Sequence, residues 1–342
     1  MLPFLYFPVF PLVMTDDFVR LGHRPAPVND LKDHPDIKGF SLDNPLSASA
    51  LLERYATIGF QASHLARALE VIKAMRREGA TVFFTFTGNM VSSGLRELIV
   101  HLVKHRYVDV LVTNAGGVEE DVMKCFKPFK LGSFRAQGRM LFDESIHRIG
   151  NIFVPTDRYA ELDKFLSPLL DEVFSEQKTI TPLELLRVVG ERLDHDESIL
   201  TWAARNDIPV FCPGIQDGSF GQLFYFRSHT DKEFVVDIAR ETKVITDIAL
   251  NADSTGAVVL GGGIAKHFTL LNNILRDGLD YAVFINTGEE FDGSDSGARP
   301  DEAVSWAKVS TKALSVKVHC DATIAFPLLA CAWTEWERSR NQ

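Results

Sequence analysis

Apolar runs and helical patterns alternate along most of the chain. Between residues 61 and 78, apolar residues recur at helical spacing and predict a helix that Gly79 ends. Apolar, β-branched and aromatic runs predict buried strands at Thr81–Phe86, Val108–Thr113, Ile208–Phe211, Ala257–Leu260, Tyr281–Ile285 and Val316–His319. Because a helix or loop follows each run, we expect an α/β fold. It would be a doubly wound, mostly parallel Rossmann-like sheet with helices on both faces and an N-terminal helical arm.

Local signals predict several helix boundaries. Asn44-Pro45 is typical of a helix start, with proline at the first helical position. Another helix is expected near residues 91–106, after the first strand. Thr181-Pro-Leu-Glu184 is a capping box that opens a further helix. Residues 127–150 are basic and are expected to be irregular.

Three acidic residues follow the second predicted strand and its glycines. Glu119, Glu120 and Asp121 are expected in the first turn of the next helix. Acidic side chains favour that position because they offset the positive end of the helix dipole. This structural explanation stands beside any role in binding.

Composition limits the class of protein. The chain has 342 residues, of which 46% are hydrophobic and 24% charged, as in a soluble globular protein. The net charge of −10 argues against nucleic acid as the main partner and suits a basic ligand or protein. The cysteines are scattered without metal spacing and are expected to be reduced core residues, which favours the cytoplasm; they are Cys125, Cys212, Cys320 and Cys331.

The N-terminal stretch does not resemble a signal peptide or a membrane span. Residues 1–14 are apolar but lack a basic first region and a small-residue cleavage site, and they are too short to cross a membrane. Met14 is an alternative start. No linker divides the chain, so we predict an arm over residues 1–45 and one α/β domain over residues 46–342.

An acidic segment, Glu290–Lys308, follows the strand predicted at Tyr281–Ile285. Its carboxylates indicate a cationic ligand; they include Asp292, Asp295, Asp301 and Glu302. The indole of Trp306 could lie along an alkyl chain or face an ammonium group. Lys308 is a lone amine at the end of this segment, so it is either an ion-pair partner or a nucleophile.

Two glycine-rich turns follow predicted strands and precede helices, at Ala115-Gly116-Gly117 and Gly261-Gly262-Gly263. Bare backbone amides there can approach a phosphate or nucleotide, although a tight packing turn is the alternative. His267 comes just after the second turn and is either structural or a general base. His101 and His105 lack the glutamate of a zinc-binding helix, so no metal site is predicted.

The acidic segment resembles the signature of deoxyhypusine synthase, and the similarity extends from Leu51 to Leu329. Further matching stretches are Thr57–Ser63, Ala115–Asp121, Asp217–Ser219, Gly261–His267 and Asp321-Ala322. The resemblance implies an NAD-dependent enzyme that moves the aminobutyl group of spermidine. The acceptor would be one lysine of the hypusine-containing translation initiation factor precursor.

The resemblance also implies roles for individual residues. Lys308 would hold the aminobutyl group as a Schiff base, and His267 would take a proton as hydride leaves. NAD contacts are implied for Asn89, Ser92, Asn114, Ala115, Gly116, Glu120, Asp217, Gly262, Thr287, Gly288, Asp292, Asp321 and Ala322. Spermidine contacts are implied for Glu119, Glu120, Gln222, His267, Gly293, Ser294, Asp295, Ser296, Glu302 and Trp306.

Assembly and sequence departures leave alternatives open. The resemblance implies a homotetramer with sites between paired subunits and residues 15–45 as a lid. Gln222 stands where the family carries an acid that holds an amine of spermidine, Gly88 replaces Ser, and Asn114 replaces Thr. Three alternatives therefore stay open. The chain is an ordinary synthase, a homospermidine synthase-like enzyme using a small amine, or a non-catalytic NAD-binding subunit in a heterotetramer with an active paralogue.

Overall fold

The computed structural model of the chain describes residues 34–340. Residues 34–38 have neither helix nor strand, and from Gly39 onward the described chain forms one compact unit. Most of the predicted arm, residues 1–33, lies outside the described residues. Within residues 34–340 no helix is both long and apolar enough to cross a membrane.

Strands are numbered in chain order. They are β1 (Thr81–Phe86), β2 (Val110–Val112), β3 (Lys130–Leu131), β4 (Ile146–Ile149), β5 (Ile152–Pro155), β6 (Thr179–Ile180), β7 (Val210–Phe211), β8 (Val235–Val236), β9 (Thr255–Leu260), β10 (Leu279–Asn286) and β11 (Val309–His319). The central sheet has six parallel strands in the order β7-β2-β1-β9-β10-β11. If these six strands are renumbered 1 to 6 in chain order, their spatial order is 3-2-1-4-5-6, which is that of the Rossmann fold. The predicted fold class is confirmed.

Helices cover both faces of this sheet. They are α1 (Ala48–Tyr55), α2 (Gln61–Arg77), α3 (Gly88–Ser92), α4 (Arg96–Lys104), α5 (Ala115–Phe126), α6 (Gly138–Asp143), α7 (Asp157–Glu176), α8 (Pro182–Leu193), α9 (Ile199–Arg205), α10 (Ser219–Ser228), α11 (Ile238–Asn251), α12 (Gly263–Leu271), α13 (Pro300–Ser305) and α14 (Ala322–Arg340). A short 3₁₀ turn spans Ile274–Arg276.

Each face of the sheet has its own apolar core. Neighbouring residues of β1 point to opposite faces, so Phe84 lies in the larger core and Phe83 in the smaller one. Helices α2, α5, α7, α8 and α14 contribute to the larger core, whereas α11, α12 and α13 cover the smaller one. Strands buried on both faces need apolar residues throughout, which explains the continuous runs in the sequence.

Several predicted boundaries need correction. The helix start at Asn44-Pro45 is wrong, because α1 begins at Ala48 and the Ser47 hydroxyl accepts from Ala50 N at 3.2 Å. The helix predicted near residues 91–106 is two helices, α3 and α4, separated by Gly94 at φ +96°. The capping box is confirmed, with Thr181 and Glu184 exchanging both hydrogen bonds.

The stretch expected to be irregular contains regular structure. Strands β3, β5 and β4 form a three-stranded antiparallel sheet, and α6 lies between β3 and β4. The expectation for the cysteines also holds only in part. All four are free, but Cys212 alone is buried and Cys331 is exposed.

Strand β11 forms one edge of the central sheet, and side chains of α2 hydrogen-bond to its backbone. The Gln61 side chain accepts from His319 N at 2.7 Å, and His64 Nδ1 lies 2.9 Å from Lys317 O. Arg67 donates to Ser315 O at 3.3 Å. These contacts occupy groups that an edge strand otherwise presents unpaired.

Candidate active site

The predicted cofactor residues stand at one edge of the central sheet, whereas Lys308 stands at the opposite end of its strand, directly before β11. Because the six strands are parallel, the turns that follow them all leave at the same carboxyl edge. The chain order reverses between β1 and β9, and a backbone hydrogen bond from Thr87 N to Leu260 O, 3.2 Å long, joins the ends of these strands. Ligand crevices of open α/β sheets form at such a point.

The glycine turns at this edge are tightly packed against one another. The Asn114 side-chain oxygen accepts from Gly88 N at 2.8 Å and from Gly117 N at 3.3 Å. A Cβ at Gly88 would lie 2.8 Å from the carbonyl carbon of Gly116. The serine that the family carries at position 88 therefore has no room in this backbone arrangement. Gly262 approaches Ser296 in the same way.

This edge fits a dinucleotide. Helices α5 and α12 begin at the turns after β2 and β9, so two helix N-termini flank the strand-order reversal. At Gly263, φ is +61° and an added Cβ would meet nothing within 4 Å, so the space beside this turn is open, although its own N–H donates to the Ser296 hydroxyl. Backbone amides at a helix N-terminus favour an anionic group such as a pyrophosphate. The turns thus serve both packing and ligand approach.

The predicted NAD-contacting residues are spread over the turns of all six strands. Asn89 and Ser92 follow β1, and Asp217 follows β7. Asn114, Ala115, Gly116 and Glu120 follow β2. Gly262 follows β9. Three residues follow β10, namely Thr287, Gly288 and Asp292, and two follow β11, namely Asp321 and Ala322. Asp321 also has a structural role, since its carboxylate accepts from Thr323 N at 2.7 Å in the first turn of α14.

The acids of α5 do not lie in its first turn, so that prediction is wrong. The helix begins at Ala115, which places Glu119, Glu120 and Asp121 in the second turn. All three are buried. Asp121 accepts from Ser198 Oγ, Ile199 N and Leu200 N at 2.8–3.1 Å and thereby caps α9. Asp121 is therefore structural, and dipole compensation does not explain the other two.

Glu119 and Glu120 form a buried acidic pair beside Asp217. Glu119 accepts from Ser219 N at 2.6 Å, and burial raises the pKa of its carboxyl, with the charge of Asp217 adding to the effect. Burial raises the pKa of Glu120 to about 7, although a hydrogen bond from Ser92 opposes this and the charge of Glu119 adds to it. Clustered carboxylates of this kind gain from a bound cation.

Gln222 is exposed on α10 and lines a cleft of about 570 Å³ between α7 and α10. The amide carries no charge, but two carboxylates line the same cleft, Asp163 and Asp171. Arg227 pairs with Asp171 at 2.7 Å, whereas Asp163 accepts only from Ser167 within residues 34–340. Sequence reasoning missed Asp163, because nothing in the sequence shows that α7 faces α10.

The acidic loop, residues 287–299, presents one carboxylate without a protein partner. Asp295 Oδ2 is buried and has no hydrogen bond within residues 34–340. By contrast Glu290 pairs with Arg299 at 2.9 Å, and Asp292 accepts from Ser294 N at 2.7 Å. Buried polar atoms are nearly always hydrogen-bonded, so the free oxygen of Asp295 marks a place for a cationic ligand.

The other predicted residues of this loop have separate positions. Gly293 and Ser294 are exposed at its tip, and Gly293 has φ +72°. Ser296 is half-buried, and its hydroxyl accepts from Gly263 N at 2.8 Å. Glu302 lies beyond the loop, exposed in the first turn of α13. Ser296 thus fastens the loop to the glycine turn after β9.

Lys308 does not lie in the acidic loop, because α13 separates them. This helix ends in a Schellman motif, in which Lys308 N donates to Ala303 O and Ala307 N to Val304 O, both at 3.0 Å. Ala307 accordingly has a left-handed φ of +53°. Leu279 N donates to Lys308 O at 3.1 Å, which fixes Lys308 at the start of β10 and β11.

The Lys308 amine forms no ion pair within residues 34–340. The residue is buried, and its Nζ lies 5.6 Å from the ring centre of Trp306, which is 65% exposed. Of the two roles considered for this lysine, the contacts favour the nucleophile. His267 is exposed on α12 and makes no hydrogen bond to the described residues, so its imidazole is free to act on a ligand.

A lysine missed by sequence reasoning precedes His267. Lys266 is completely buried, and its amine donates to Ala298 O at 3.1 Å and to Asp295 O. Burial lowers its pKa to about 8; the charge of Asp295 opposes this lowering, and the charges of Lys317 and Lys308 add to it.

The structure brings the predicted acidic and catalytic residues together in two groups. The first group comprises Glu119, Glu120, Asp217 and Gln222. The second group comprises Asp295, Glu302, Trp306, Lys308 and His267. Within residues 34–340 no hydrogen bond or ion pair joins one group to the other. On this chain the two groups are therefore separate.

The sheet order and the glycine turns define a Rossmann-like α/β protein of the dinucleotide-binding class. A sequence model of deoxyhypusine synthase matches residues 50–333. A Drosophila melanogaster protein named "probable deoxyhypusine synthase" is 43% identical over 344 residues, which cover 90% of this chain and 94% of that protein. The deoxyhypusine synthase of Senecio vernalis is 43% identical and covers 86% of this chain and 87% of its own.

A solved structure agrees with these relatives. The crystal structure of an Entamoeba histolytica protein assigned as a deoxyhypusine synthase matches with a TM-score of 0.62 and 27% identity, covering 86% of this chain and 96% of that one. This chain belongs to the deoxyhypusine synthase family. The activity of that family is NAD-dependent transfer of the aminobutyl group of spermidine, so the predicted enzyme class is confirmed.

The raised pKa of Glu120 predicts that the affinity for polyamine depends on pH. Below pH 7 the carboxyl is mostly protonated, and above pH 7 it is an anion that attracts ammonium. Spermidine affinity should therefore rise, by up to about tenfold, between pH 6 and pH 8. Calorimetry with NAD present should show this rise in the wild-type protein and a flat profile in Glu120→Gln.

The exposed Glu233→Gln variant is the matched control and should keep the wild-type pH profile.

The pH dependence of the free energy of unfolding gives a second measurement. The folded chain keeps a proton on Glu120 that the unfolded chain loses near pH 4.5, so stability from this group falls as pH rises towards 7. Urea unfolding of Glu120→Gln should lack this component; an unchanged pH slope would contradict the assignment.

Proposed function

We propose that this chain transfers the aminobutyl group of spermidine to one lysine of the hypusine-containing translation initiation factor precursor, with NAD as its cofactor. Family membership supports the reaction. The observation that carries the assignment to residues is Lys308, a buried amine that forms no ion pair within residues 34–340 and lies beside Trp306. When bound, NAD supplies reversible uptake of a hydride.

The residues of the chain have distinct parts in this proposal. Asp295 and Glu302 hold the ammonium groups of spermidine, and Trp306 lies along its alkyl chain. His267 takes the proton released as the carbon beside the secondary amine loses hydride. Lys308 attacks that carbon through its amine nitrogen and holds the aminobutyl group as a Schiff base while diaminopropane leaves. The acceptor lysine then displaces Lys308, and return of the hydride reduces the imine on the acceptor to a secondary amine.

We further propose that the active protein is a homotetramer whose sites form between paired subunits. The separation of the two acidic groups on one chain supports this, because each group lacks the contacts that the other would supply. The first group of one subunit would face the second group of its partner. The lid predicted over residues 15–45 falls mainly outside the described residues. A cytoplasmic location is proposed as well, and four free cysteines are compatible with it.

A supporting subunit is the second candidate function, and Gln222 is the observation that favours it. This residue places a neutral amide in the cleft between α7 and α10. A chain that binds NAD but grips spermidine weakly would depend on an active paralogue. Incubation with NAD and labelled spermidine, with and without acceptor protein or a small amine, separates this function from protein modification and from homospermidine synthesis.

The first prediction for this function concerns Lys308. Lys308→Ala should abolish transfer to the acceptor protein while NAD binding changes little, because the variant removes only the nucleophile. Borohydride reduction during wild-type turnover should trap an aminobutyl adduct, and peptide mapping should place it on Lys308. Lys312→Ala, an exposed change on β11, is the control and should remain active. An adduct on another residue refutes the assignment.

The second prediction concerns Gln222. Gln222→Asp adds an anion to the cleft, and a charge-assisted hydrogen bond is stronger than a neutral one by about 1 kcal/mol. The KM for spermidine should fall several-fold, while NAD affinity stays constant. Gln137→Asp adds the same charge at an exposed site elsewhere and should have no effect. An unchanged KM in a fully active enzyme would mean that another carboxylate, such as Asp163, already fills this role.

The third prediction tests the shared site. Lys308→Ala disables the second group and Asp217→Lys the first, and both changes leave the core intact. Subunits that are mixed, dissociated and reassembled should regain roughly a quarter of wild-type activity, because random pairing rebuilds one complete site in each mixed dimer. Mixing Lys308→Ala with Asp295→Ala, both in the second group, should restore nothing. Equal results in the two mixtures would rule out sites shared in this way.

A further inference from the structure

The acidic loop has no helix or strand, yet the position of Asp295 depends on its backbone. Its two ends meet, since a Cβ at Gly288 would lie 3.0–3.1 Å from Gly297. Carbonyl groups inside such a turn cannot all bond to one another, and buried carbonyls require donors. The structure supplies these donors from two lysine side chains outside the loop.

Lys266, from the first turn of α12, is the more deeply buried of the two. Its amine donates to the backbone carbonyls of Asp295 and Ala298 and lies 4.6 Å from the ring centre of Phe284. The amine thus binds the main chain of Asp295 and leaves the carboxylate of that residue without a partner. A lysine that paired with the carboxylate instead would block the very group that is open to a ligand.

Lys317, from β11, reaches the same loop from the other side. Its amine donates to Gly288 O at 2.8 Å and to Gly297 O. Together the two amines bind carbonyls at the start of the loop and at its end. Lys124 likewise donates to a backbone oxygen, that of Val91, whereas the carbonyl partners of Lys266 and Lys317 all belong to one loop.

We propose that Lys266 and Lys317 are positioning residues that clamp the acidic loop and present the Asp295 carboxylate to an ammonium group of the substrate. The inference rests on the proposed function for its choice of ligand. The clamp itself rests on the hydrogen bonds and burial described above. The two amines also bring positive charge close to the anions of the loop, which would otherwise repel one another in the absence of substrate.

The experiment compares Lys266→Met and Lys317→Met with Lys312→Met, which removes an exposed lysine from the same strand as Lys317. Hydrogen exchange measured by mass spectrometry, with no substrate present, reports the order of residues 287–299 directly. Exchange in this loop should rise at least tenfold in both clamp variants and stay unchanged in the control. Exchange in β1, in the middle of the sheet, should match the wild-type protein.

Kinetics test the link to substrate. Lys266→Met and Lys317→Met should each raise the KM for spermidine about tenfold and lower kcat much less, because the reacting groups remain in place. Lys317→Arg keeps the donors and should restore KM to within a few-fold of wild type, which a loss of packing alone would not allow. Lys317 is only partly buried, so its variants remain informative even if Lys266→Met does not fold.

Several results would overturn the clamp. Loop exchange equal to wild type in both methionine variants would show that the amines do not order the loop. An equal rise in β1 would show general destabilisation instead. A borohydride-trapped adduct on Lys266 would make it a covalent participant rather than a positioning residue. If the wild-type protein transfers no aminobutyl group, the proposed function fails, and the exchange measurements still decide on the clamp.

Discussion

The parallel direction of the six central strands is the constraint on which the rest of this structure depends. Neighbouring parallel strands need crossover connections, which place helices on both faces of the sheet and bury each strand on both sides. The same geometry sends every strand into a turn at one edge of the sheet. The candidate cofactor residues, from Asn89 to Ala322, lie on those turns. Formation of this sheet therefore brings residues that are distant in sequence to the same edge, and no further structural element is needed to collect them.

An acidic site in an acidic protein has an electrostatic difficulty, and the structure meets it in two ways. Around Glu120, burial raises the pKa so that a proton can replace a counterion while no ligand is bound. Around Asp295, Lys266 and Lys317 bring their amines to the backbone carbonyls behind the loop. The first arrangement responds to pH near neutrality. The second leaves a carboxylate oxygen without a protein partner within residues 34–340, which suits a polycationic substrate.

Sequence reasoning succeeded where the cause was local and failed where it was tertiary. Strand β1 was predicted with its observed limits, because a doubly buried strand must be apolar throughout. The start of α1 was wrong, since Glu335, far along the chain, accepts from Ala48 N and Ser49 N and fixes the helix end. Lys266 was overlooked for the same reason. Its carbonyl partners lie about 30 residues away, and a lysine in sequence looks like surface charge.

The protected edge of the central sheet limits how this chain can associate with another. Gln61, His64 and Arg67 occupy backbone groups along β11. At the other edge, β7 has only two residues, Val210 and Phe211, which is too short to template a partner strand. Neither edge of the central sheet presents a free row of backbone groups that could pair with a strand of another subunit. Any association of copies of this chain would therefore depend on side chains of helices and loops, and not on continuation of this sheet by backbone hydrogen bonds.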